Sequence, residues 1–183
     1  MSSTGLSGRR SRPTWVVVLA MAMLIFGGGL LQEAASTLRG LPGRGLSAAS
    51  GAAPEVQELV AGVASRAAAH PVAVRLNALS KLVLALLLLY AVAAVFSADP
   101  RARGATLLAA WAGIVHQIGD GAFLFLVVWP RSAVELPRVT HAIILGTGLL
   151  GVAFSVLLLT FFGGRRGRGV FGPRRQTRVG HGG

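Results

Sequence analysis

Apolar positions along this chain gather into four long runs, and polar positions gather between them. The runs are 15–31 (Trp15 to Leu31), 82–98 (Leu82 to Ala98), 105–129 (Ala105 to Trp129) and 139–162 (Val139 to Phe162). Each reaches the ~17–25 residues that an α-helix needs to cross a ~30 Å hydrocarbon core. None alternates with a two-residue period, so the spanning form expected here is the helix rather than the barrel strand. Trp15, Trp129 and Phe161–Phe162 stand at run ends, where aromatic rings settle at a membrane interface. The pattern predicts an all-α integral membrane protein, an antiparallel bundle of four transmembrane helices over residues 15–162. A basic segment, 1–14, precedes it and a tail, 163–183, follows it.

The longest polar interval, 32–81, is read as an outside loop, part linker and part helix. Thr37 to Pro54 is rich in Gly, Ser and Ala, as linkers are. Pro54-Glu55-Val56-Gln57-Glu58 carries a helix-start signal, a proline followed by acids in the first turn. Val56, Leu59, Val60 and Val63 then recur at helical spacing. His70-Pro71 should end that helix, and a second should start at Pro71 and run into the second span.

Composition strengthens the membrane reading. Hydrophobic residues make up 53% of the 183 positions and charged residues 13%, about half the usual share for a soluble domain. Mean hydropathy is +0.65. At this length one domain is expected. The chain has no cysteine, which excludes disulfides, thiolate metal sites and cysteine nucleophiles. The Ala, Gly and Arg bias is that of a GC-rich bacterial coding sequence.

Charge then sets orientation. Basic residues number 18 against six acids, a net charge of +12. Segments 1–14, 99–104 and 163–183 hold 11 arginines, whereas segments 32–81 and 130–138, longer in total, hold seven basic residues. The positive-inside rule therefore places both termini in the cytoplasm, with the protein in the inner (plasma) membrane. The first run has a rival reading as a signal peptide, with Arg9, Arg10 and Arg12 before it and Ala34-Ala35-Ser36 as a cleavage site. It is long for such a segment, and an uncleaved anchor is the expectation. The tail is read as disordered Arg and Gly. Its Arg165, Arg166, Arg168, Arg174 and Arg175 are expected to meet anionic lipid headgroups. Nucleic acid is not the expected partner.

One constellation carries candidate chemistry. His116-Gln117-Ile118-Gly119-Asp120 lies at the midpoint of the third run, hence near the bilayer centre. His116 and Asp120 are spaced i,i+4 and share a helix face. An aspartate at that depth costs about 2.5–3.5 kcal/mol on insertion scales, so it should face protein or water. Two readings follow: a proton or cation site built on His116, Gln117 and Asp120, or a structural pairing of Asp120 with His116 while Gln117 bonds to another helix. The other three runs contain no Asp, Glu, Lys or Arg to complete a relay, which favours the structural reading.

Small residues form two stripes. Ala109, Gly113, Gln117 and Gly121 line one face of the third span, and Thr147, Gly151 and Ser155 one face of the fourth. Docking these stripes would bring Gln117 against the fourth span. Gly146-x-Gly148-x-x-Gly151 matches a dinucleotide fingerprint in letters only, since no strand precedes it. No catalytic motif is present, and no catalytic residue, metal site or cofactor is assigned. His116 and His141 differ in depth by roughly 15 Å or more, too far to grip one haem. A non-enzymatic structural or accessory membrane protein is the expectation, in contact with a protein partner or with further copies of itself. A small proton-coupled carrier using the Asp/His site is the alternative, and a membrane haem protein using His116 a weaker one.

Overall fold

A computed structural model describes residues 13–40, 57, 61, 65, 68–125 and 138–171, with side chains described from residue 146 onward in the last segment. The described residues are almost all helical, with short turns at 97–101 and 164 and no strand among them. We number the helices α1 (Thr14–Leu38), α2 (Pro71–Phe96), α3 (Ala102–Phe123), α4 (Arg138–Gly163) and α5 (Arg165–Phe171). Each of the first four overlaps one expected span. The helix expected from Pro54 lies mostly outside the described residues, although Gln57, Ala61, Ser65, Ala68 and Ala69 are helical.

Three of these helices are long and apolar enough to cross a bilayer: α1, α2 and the Gly146–Gly163 part of α4. α3 is not among them, because Arg103, His116, Gln117 and Asp120 interrupt it. At about 1.5 Å per residue, α1 and α2 are each nearly 40 Å long. Both extend well past their apolar runs. α1 continues seven residues beyond Leu31, and α2 begins eleven residues before Leu82. Pro71 sits at the start of α2, where its missing N–H is no loss and its fixed φ suits a helix.

Packing follows the sequence order, α1 on α2, α2 on α3 and α3 on α4. The buried positions of α1 recur every three or four residues: Val16, Leu19, Ala20, Met23, Gly27 and Ala34. Those of α3 do the same, from Ala102 through Thr106, Ala109, Ala110 and Gly113 to His116. Gly27 lets α1 approach α2 closely, since a Cβ there would lie 3.2 Å from Leu88 Cβ. α4 returns to α1 through rings: Phe26 meets Phe154 at 5.2 Å, and Trp15 meets Phe161 and Phe162 at 5.6 and 5.8 Å. Phe162, Met23 and Leu158 are the largest side chains fully enclosed by these contacts.

The outward faces are apolar as well. Val18, Ile25, Leu76, Val83, Leu108, Trp111, Val115, Ile118, Leu149 and Leu150 are all exposed. A helix apolar on every side belongs in a core or in lipid.

The α2–α3 turn is a Schellman cap. Asp99 N–H donates to Ala94 O at 3.0 Å and Ala98 N–H to Val95 O at 3.3 Å. Ala98 occupies the left-handed region at φ 56°, a place that suits glycine. Asp99 then turns the chain into α3 by accepting the Arg101 N–H at 2.7 Å. Ala98→Gly should therefore raise stability by about 1 kcal/mol, read as a higher unfolding midpoint in detergent.

The expected disorder of the tail needs correction at its start. Residues 165–171 form α5, which folds back on the end of α4. Phe171 stacks on Phe162 at 5.8 Å with planes 22° apart. Gly167 is buried against the Phe162 backbone, so closely that a Cβ there would collide with it. A Gly/Arg composition conceals one ring and one gap that fit α4. Arg174 and Arg175 lie outside the described residues.

A candidate polar site joining three helices

The third-span cluster gains its partners from α1 and α2. Asp120 Oδ1 accepts a hydrogen bond from Asn77 Nδ2 at 2.9 Å and lies 3.7 Å from Lys81 Nζ. Lys81 Nζ also pairs with Glu33 Oε1 at 2.5 Å. One ammonium thus stands between a carboxylate of α1 and a carboxylate of α3. Ser80 Oγ lies 2.8 Å from Asn77 O and 3.1 Å from His116 Nδ1. A hydroxyl has one proton, so both contacts are satisfied if His116 Nδ1–H donates to Ser80 and Ser80 donates to Asn77 O. Asn77, Ser80, Lys81 and Leu84 follow at i, i+3, i+4 and i+7, which explains how α2 presents them together. Lys81 keeps 15% of its side chain exposed, Asp120 25% and Glu33 52%, so the ion pairs lie at the edge of the packed interior.

Two expectations change here. Asp120 takes its partners from α2 rather than pairing with His116, which bonds Ser80 instead. The cluster also sits nearer one end of the helices than the midpoint of the third run. Glu33 is five residues from the end of α1 and Lys81 ten residues from the start of α2. Counted from the end that carries Trp15, Phe96 and Ala102, Lys81, Asp120 and Glu33 lie roughly 22–28 Å away. The reason is that α1 and α2 run past their apolar stretches and bring charged residues with them. Run counting missed Glu33 and Lys81 because each falls just outside a run. The available signal was periodicity, since Lys81 continues the spacing of Ala78, Leu84, Ala85 and Leu88.

The small-residue stripes meet across α3 and α4. A Cβ on Gly113 would lie 2.5 Å from Ser155 Oγ, and one on Gly151 would collide with the Gln117 amide. Ala109 and Ser155 are buried beside them. Gly121 and Thr147, the outer members of the stripes, are exposed. At the opposite end Arg103 reaches the C-terminus of α4. Its Nε donates to Phe162 O at 2.9 Å and an Nη to Gly163 O at 3.4 Å. These carbonyls lack intrahelical donors, and the guanidinium supplies them. Arg165, Arg166 and Arg168 lie on α5 with their side chains exposed. His141 has no described side chain.

Beside the cluster lies an open cleft of about 340 Å³ between the start of α2 and the end of α3. Leu76, Asn77, Ser80, Gly119 and Phe123 line it. Among the described residues no three His, Asp or Glu side chains are grouped to hold a metal ion.

Comparison with known protein families, with characterised proteins and with solved structures finds no match for this chain.

Proposed function

We propose that this is a four-span membrane protein of non-enzymatic role, a structural or accessory subunit with both termini in the cytoplasm of a bacterial cell. The observation that carries the reading is the Glu33–Lys81–Asp120 arrangement, whose charges are engaged with one another across three helices. Partly buried charges engaged in this way join helices rather than waiting for a substrate. Apolar outward faces on all four long helices support the bilayer as surroundings. On this reading α3 is a span as well, the third in chain order, with its polar residues held against α2 and α4. The arginine bias toward one side supports the orientation.

Native mass spectrometry of the protein in mild detergent, with an absorption spectrum of the same sample, tests this. A colourless preparation carrying a second protein subunit, or further copies of this chain, is expected. A lone chain holding a stoichiometric solute that Asp120→Asn releases would overturn it.

The alternative reading is a small proton- or cation-coupled carrier. The cleft beside Asn77 and Ser80 favours it, because it opens next to the Asp120 carboxylate.

A further inference from the structure

We infer that α5 is a fixed docking site for the headgroup of an anionic phospholipid, a reading that rests on the membrane assignment above. Its inner face is set by Gly167 and Phe171, spaced i,i+4. Gly167 permits contact with the Phe162 backbone, and Phe171 stacks on the Phe162 ring. Phe162 is itself fully buried and touches Trp15 edge-on. The short helix is thereby attached to the aromatic end of the long helices, the level at which rings mark a membrane interface.

At about 100° per residue, Arg165 and Arg166 fall well away from Gly167 and Phe171, and Arg168 flanks Phe171 at about 60°. All three are exposed. Arg101 is exposed in the α2–α3 turn. Arg103 is not part of this surface, because its guanidinium is engaged with the α4 carbonyls. Three exposed guanidinium groups on a helix held at the interface by a ring stack supply positive charge there, and guanidinium is the cation best suited to phosphate oxygens. A basic disordered tail also attracts anionic lipid, but it gains nothing from a stacked phenyl ring. Dependence on Phe171 therefore separates a built site from general attraction.

The test is lipid retention by the full-length protein in mild detergent, followed by native mass spectrometry with phosphatidylglycerol against phosphatidylcholine. Wild type should retain phosphatidylglycerol in preference. Replacing Arg165, Arg166 and Arg168 together by Gln should lower that retention by about tenfold or more. Phe171→Ala keeps every arginine and should lower it several-fold, with an unchanged unfolding midpoint showing that the long helices remain packed. Replacing Arg174, Arg175 and Arg178 by Gln should change it little. Equal retention by the α5 arginine variant, or loss only in the Arg174/Arg175/Arg178 variant, would overturn the inference. So would displacement of the lipid by a short single-stranded RNA. These readings are taken in detergent and stand apart from orientation, which Gly169→Cys reports in intact cells. The natural sequence has no cysteine, so labelling of that variant from outside would overturn the orientation and leave the lipid result to be judged separately.

Discussion

Lys81→Met should destabilise the protein by about 2–4 kcal/mol, because it leaves two carboxylates facing each other without their cation. The lower part of that range applies if Glu33, half exposed, turns to solvent. The measurement is unfolding of the purified protein in mixed micelles, with helicity as the signal. Asp120→Asn should cost much less, about 1 kcal/mol, since an amide oxygen still accepts the Asn77 hydrogen bond and Lys81 keeps Glu33. Combining Lys81→Met with Asp120→Asn should recover part of the loss, which is the signature of a coupled pair. If Lys81→Met unfolds at the wild-type midpoint, the ionic joint between α1, α2 and α3 contributes nothing.

Gly151→Leu should cost about 3 kcal/mol or more and open the α3–α4 contact. Even one methyl group there meets the Gln117 amide, and Leu adds three further carbons against the same side chain. Gln117→Ala in the same chain should return part of the stability by making room. Accessibility of a single cysteine placed at Ser155, now buried, reports the separation directly. A Gly151→Leu protein with wild-type stability and a protected residue 155 would show that the helices pack elsewhere.

Much of the helical layout was legible in the runs. The fourth run, 139–162, differs from α4 by one residue at each end. The start of α2 at Pro71 was legible because proline is tolerated at a first helical position and excluded from an interior one. Helix ends at charged residues were not. Counting apolar residues stops at Glu33 and Lys81, whereas hydrogen bonding along the backbone continues through them, and each charge is tolerated because the other answers it. For the same reason the His116–Asp120 pair looked complete. Both lie on one face of α3, but a face shows only what a helix offers and not what packs against it. α5 was hidden by composition, because one aromatic ring among glycines and arginines does not raise a hydrophobic signal. The stripes on α3 and α4 were readable because small residues leave a gap at regular spacing, and a gap needs no knowledge of its occupant.

The polarity of α3 has a consequence for biogenesis. On the membrane reading, α3 leaves the translocation channel carrying an aspartate that the hydrocarbon disfavours when the helix is alone. Its counter-charge and its amide donor are on α2, made earlier and already emerging on the lipid side. The turn between them is short and closed by its own cap. The two helices therefore partition as a hairpin, and the second half of α2 is the hydrophobic partner that carries α3 into the bilayer.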